Sequence, residues 1–201
     1  MPSKSLDKTK NKSAHTSPKD VFLHLLMIGT LYASVISFLT IVFQYVNFYF
    51  PDPLIDSFSG YAPYNYGMTS AMRNAVAALI IVFPVFLFIS NLLQKEFTLH
   101  AQKMQGRLRK WLIAFTLFIA SIVIIVDLII LILHFLEGEL TIRFLLKNLS
   151  VLLVIGCIFG YFINAMKKEK AALSKNEKMF VWVIAGVMLI FIVGAFIIMG
   201  S

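Results

Sequence analysis

Asp127 is the one acid set deep inside any of the long apolar runs of this chain. His134 follows seven residues later, so on a helix the two side chains share a face, which Thr116 and Ala120 extend. A carboxylate at membrane depth either takes a proton or finds a partner. Counting along the helices, candidate partners at similar depth are Gln44, Asn47, Arg73, Asn74, Lys147 and Asn148. Two chemistries follow. One is a proton- or cation-responsive cavity, open to the outer side, with Asp127 as the titrating group. The other is a buried pair, Asp127–Lys147 or Asp127–Arg73, that fixes the helices together. His134 lies close to the outer boundary and reads as an interfacial residue rather than a ligand or proton relay.

A second polar row lies on the first apolar run: Thr30, Ser34, Ser37, Thr40, Gln44 and Asn47. The spacing of three and four puts them on one helix face. Such a row is either a seam of small hydroxyls, where helices pack and hydrogen-bond, or one wall of a polar cavity. Glycines mark candidate packing faces. Gly156 and Gly160 form a small-xxx-small step, and Gly186 and Gly194 stand eight apart, on faces suited to contact within the chain or between copies.

These residues must be positioned by long apolar helices. Ser17-Pro18-Lys19-Asp20 signals a helix start, and Pro51-Asp52-Pro53 a stop. The run between, 21–50, would cover about 45 Å as a helix, more than the ~30 Å hydrocarbon core. Four more runs follow, near 73–93 (with Pro84, which predicts a kink), 111–136, 144–166 and 179–199. Each is long enough to span. Residues 1–19 read as a disordered basic tail and 20–200 as the transmembrane domain. The first run is too long for a signal-peptide core, and no cleavage site follows it.

Charge orients the bundle. Fifteen of the 18 Lys and Arg fall in the tail and in the connectors 94–110 and 167–178. The connectors 51–72 and 137–142 carry acids and no base. The basic side is the cytoplasmic one by the positive-inside bias. The N-terminus is therefore expected inside and the C-terminus outside. Trp111, Trp182, Tyr61, Tyr64 and Tyr66 fit interfacial belts.

Composition agrees. Of 201 residues, 59% are hydrophobic and 14% charged, and mean hydropathy is +0.84. Soluble chains are nearer about 25% charged. A water-soluble enzyme and a disordered protein are excluded. The net charge of +8 reflects flanking bases rather than nucleic-acid binding, so the bilayer is the expected contact. A single cysteine, Cys157, allows no internal disulfide.

Chemistry-bearing motifs are missing: no HExxH, GxSxG, Walker A or GxGxxG occurs. His24 and His134 fall near opposite ends of their runs and cannot grip one haem iron. No catalytic residue, cofactor or metal is expected, and the chain does not read as an enzyme.

Several strings in order carry a family resemblance. They are KDVFLHLLMIGTLYASVISFLTIVFQYVNFYFPDPL from Lys19 to Leu54, VFPVFLF at 82–88, RKWL at 109–112, IVDLIILILHFLEGELTIRFLLK at 125–147 and GYF at 160–162. Together, over about 18–165, they resemble the prokaryotic membrane proteins grouped as domain of unknown function 5671. The family pattern has Gly before the acid of the third helix, where Val126 stands here. The resemblance implies a prokaryotic multi-pass membrane protein and brings no activity, cofactor or catalytic residue.

The expected architecture is an all-α bundle of five transmembrane helices in the plasma membrane. Two kinds of role fit it. One is a small transporter or channel-like protein with a polar cavity around Asp127. The other is a non-catalytic subunit or assembly protein of a membrane complex, bound to itself or to another membrane protein.

Overall fold

The structure, a computed structural model, describes residues 18–50, 64–99, 107–138, 140–167 and 175–200. They form five helices: α1 (Pro18–Tyr49), α2 (Tyr64–Leu99), α3 (Arg107–Glu137), α4 (Ile142–Lys167) and α5 (Lys175–Gly200). No strand occurs among the described residues. The tail before Pro18, Tyr61, and the connectors 51–63, 100–106 and 168–174 lie outside them, as do the side chains of Tyr64, Tyr66 and Trp182.

The helix ends follow local chemistry. Pro18 is the first residue of α1, where its missing N–H costs nothing. The Phe50 N–H still reaches the Val46 carbonyl at 3.0 Å, and Pro51 follows. Between α3 and α4 the chain turns in four residues. Gly138 has φ +73°, the left-handed conformation that closes helices and that a Cβ disfavours. Thr141 then caps α4. Its Oγ1 accepts from the Phe144 N–H at 3.2 Å, and its carbonyl from the Leu145 N–H at 3.0 Å.

One element is much longer than its apolar stretch. The hydrophobic run predicts a second helix over 73–93, whereas α2 spans 36 residues. Hydropathy delimits the part of a helix suited to lipid, not the helix itself. The extra turns contribute to the core: Met72 is fully buried. Pro84 lies within α2, which runs on through it.

α1 packs against all four other helices, most extensively against α2, and α3 packs most extensively against α4. Two apolar clusters result. Ile41 of α1 packs with Met72, Ala75, Val76 and Leu79 of α2 and with Met188 and Ala195 of α5. Ile113 and Leu117 of α3 pack with Phe162 of α4, and Leu31 of α1 joins them. α1 is thus the shared wall between an α2–α5 unit and an α3–α4 hairpin.

The outward faces are apolar too. Ile81 is 66% exposed, Phe88 64% and Ile190 69%. Side chains of this size stay exposed at little cost only where the solvent is itself hydrocarbon. Four stretches, Val21–Tyr49, Ser70–Leu93, Lys110–Glu137 and Ile142–Asn164, are long and apolar enough to cross a membrane. In α5 the apolar stretch Val183–Met199 is shorter than 18 residues.

Candidate functional site

The α3–α4 hairpin and the C-terminal turns of α1 enclose a polar seam. Asp127 of α3 and Asn148 of α4 are both buried. Asn148 Nδ2 donates to Asp127 Oδ2 at 3.1 Å. The acid therefore takes its hydrogen bond from an amide, not from Lys147 or Arg73. A neutral donor satisfies part of the carboxylate's demand without burying a second charge.

A second strand of the seam joins α1 to α4. Asn47 Nδ2 donates to Gln44 Oε1 at 3.1 Å, and Asn47 Oδ1 accepts from Arg143 Nε at 2.9 Å. Asn47 thus uses both ends of its amide. One turn further along α4, Lys147 Nζ lies 5.9 Å from the centroid of the Phe43 ring, within cation–π range. At the hairpin end the His134 ring stacks on Phe144, centroids 4.0 Å apart and planes 15° apart. Its Nδ1 lies 3.0 Å from the Ile130 carbonyl oxygen.

Of the residues singled out in the sequence, Asp127 and Asn148 come together, as do Gln44 and Asn47, and Lys147 and His134 lie on the same hairpin. Arg73 and Asn74 do not join them. Both are exposed on α2, which packs chiefly on α1 and α5. Arg143 belongs to the seam although sequence reasoning passed over it, because it fell between an acidic connector and the first apolar residues of a helix. Its spacing of four from Lys147 was the available signal. Val126 is half exposed, whereas its neighbour Asp127 is buried.

The hydroxyl row on α1 is satisfied mostly within its own helix. Thr30 Oγ1 donates to the Leu26 carbonyl, Ser34 Oγ to that of Thr30 and Thr40 Oγ1 to that of Ile36, each at 2.8 Å. Ser34 and Ser37 are buried. Thr116 on α3 is buried likewise and donates to Leu112. Small side chains that bond their own backbone let helices approach without leaving a polar group unpaired.

The glycines divide. A Cβ on Gly194 would collide with Tyr45 Oη and come within 3.2 Å of its Cζ. There the Tyr45 hydroxyl donates to the Phe191 carbonyl at 2.9 Å, and the two rings meet edge to face. Gly194 is a true close approach of α5 to α1. At Gly156, Gly160 and Gly186 an added Cβ would meet nothing within 4 Å. Among the described residues, those glycines are not points of close helix approach. Among the described residues no three of His, Cys, Asp and Glu gather as metal ligands would.

An all-helical chain with several apolar, membrane-length helices and a small buried polar seam is built as a membrane protein. The family model described as domain of unknown function (DUF5671) matches residues 20–162, from the start of α1 nearly to the end of α4. The chain belongs to that family. No curated protein and no solved structure matches it.

Proposed function

We propose that the chain is a five-span protein of the prokaryotic cytoplasmic membrane that serves as a non-catalytic subunit or assembly partner of a membrane complex. The N-terminus is cytoplasmic and the C-terminus outside, on the strength of the 15 bases gathered on one side. α5, at 26 residues, is the fifth span.

The observation that carries the role is the open face of α4. Only 6% of its apolar window is buried, against 17% to 22% in the other three spans. Gly156 and Gly160 leave a shallow groove on it, with Leu149 and Leu153 exposed alongside. A groove of this kind lets another helix come close. Asp127, by contrast, is buried and already partnered, as a group that locks helices together is.

Native mass spectrometry of the tagged protein, released from its own membrane in mild detergent, tests this. A second protein, or a second copy, at fixed stoichiometry is expected, and Gly156→Leu/Gly160→Leu should release it. A bare monomer would sink the subunit reading.

One observation favours a second reading, a small transporter or channel-like protein. Asp127, Arg143 and Lys147 lie in the same half of the bundle, at the meeting of α1, α3 and α4. Proton or cation flux in liposomes, lost in Asp127→Asn, is its test. No flux in the wild-type protein would end it.

A further inference from the structure

We propose that the open face of α4 is the interface between two copies of this chain, packed α4 against α4. The inference rests on the reading of α4 as the docking face and names what occupies it.

The bilayer sets the geometry of such a contact. The positive-inside bias holds every copy in one orientation, so two α4 helices meet in parallel, about a two-fold axis along the membrane normal. A residue near that axis meets its own counterpart, and only a face that matches itself can close the contact. Lipid tails are as apolar as leucine, so close packing and hydrogen bonds must hold the pair.

Shape is the first match. Leu145, Leu149, Leu153 and Cys157 stand four apart on α4 and are all exposed, which makes a ridge. Beside them run Gly156, Gly160 and Asn164, also four apart. A Cβ added at either glycine would meet nothing within 4 Å, so this second row begins as a groove. One helix thus carries both halves of a ridge-into-groove fit. The ridge of each copy enters the groove of the other, with the helices crossing at about −40° to −50°. The two glycines lie near the middle of the 26-residue helix, which puts the crossing near mid-helix.

Charge and hydrogen bonding are the second match. Arg143 and Lys147 are the charged residues between Ile142 and Asn164, and like charges across a two-fold axis would repel. Both are turned toward α1: Arg143 Nε donates to Asn47 Oδ1, and Lys147 lies over the Phe43 ring. The ridge and the groove carry no charge. Asn164, the polar end of the groove row, is exposed. Its amide both donates and accepts, so it pairs with the same amide of the second copy at the same level.

The test uses Cys157, the one cysteine of the chain. The purified full chain is reconstituted in lipid vesicles, where no other protein is present, and treated with a short bifunctional thiol reagent. A cross-linked dimer is expected, with a yield that holds as the protein is diluted with lipid. In a Cys157→Ser background, Leu153→Cys should cross-link about tenfold more than Phe118→Cys on α3 or Ile190→Cys on α5. These three positions are 62%, 63% and 69% exposed, so exposure alone predicts equal yields. Gly156→Leu/Gly160→Leu should weaken the Cys157 dimer by roughly tenfold or more, because side chains then fill the groove. The comparison of Leu153 with Phe118 and Ile190 does not depend on how that variant folds. Equal yields at the three positions, or a yield that falls in step with dilution, would overturn the proposal. If native mass spectrometry then showed a different protein at fixed stoichiometry, the subunit reading would stand without the second copy; a bare monomer there would end both.

Discussion

Asn148 Nδ2 donates to Asp127 Oδ2 across 3.1 Å of helix interface, with both side chains buried. Removing only the donor leaves a buried carboxylate without its partner. Asn148→Leu should therefore destabilise the protein by about 1–3 kcal/mol, the usual penalty for an orphaned buried group. Asp127→Leu/Asn148→Leu, which removes both, should be less destabilising than Asn148→Leu alone. Thermal unfolding of the four proteins in one detergent closes this double-mutant cycle. A double variant worse than either single one would mean that Asp127 interacts chiefly with something other than Asn148.

Asn47 is the hub of the α1–α4 contact. It accepts from Arg143 and donates to Gln44. Asn47→Leu breaks both bonds and strands a half-buried guanidinium nitrogen, so it should cost about 1.5–3 kcal/mol, the range for hydrogen bonds to charged groups. Gln44→Leu removes only a neutral bond and should cost less. Urea or guanidinium titrations that reverse this order would contradict the assignment of Asn47 as hub.

Gly194 tolerates no side chain while Tyr45 is in place. Gly194→Ala should displace the Tyr45 hydroxyl from the Phe191 carbonyl and cost roughly 1–3 kcal/mol, as overpacking does. Tyr45→Phe/Gly194→Ala should recover part of that loss, since the phenyl ring lacks the colliding oxygen. Gly156→Ala meets open space and should leave the melting temperature of the purified monomer unchanged or slightly raised. These opposite outcomes can be read in a single thermal-shift experiment.

Gly138 holds the left-handed turn at φ +73°. Gly138→Ala should cost about 1–2 kcal/mol, the penalty of that conformation for a residue with a Cβ, and Gly138→Asn should cost less. Equal melting temperatures for the two variants would show that the turn relaxes when the glycine is lost.

Much of the architecture was legible in the sequence, because length and apolarity are one-dimensional properties. Pro18 and Pro51 bracket α1 as their geometry requires. The Gln44–Asn47 bond could be anticipated, since residues three apart on a helix are neighbours. Counting residues gives the level of a side chain along its helix but not the direction in which it points. Asp127 therefore had six candidates, and only the rotation of α4 against α3 selects Asn148 over the adjacent Lys147. The same ambiguity hid the fates of the glycines. Gly156 and Gly194 look alike as small residues in apolar runs, yet one faces outward and the other receives a tyrosine. Met72 was out of reach for a different reason: it stands just before the run read as the second span, 73–93, and still belongs to the core.

The four-residue turn between α3 and α4 has a consequence for biogenesis. A span carrying Asp127 is a poor substrate for insertion on its own, because a central acid opposes partitioning by about 2.5–3.5 kcal/mol. The residue that satisfies it, Asn148, emerges from the ribosome only 21 positions later, joined through a loop too short to let the two helices separate. α3 and α4 are therefore expected to leave the translocon as one hairpin, the second helix completing the polar partnership that makes the first acceptable to lipid. Lengthening the turn at Gly138 with a flexible insert should lower the yield of correctly inserted protein even where it leaves the finished fold intact.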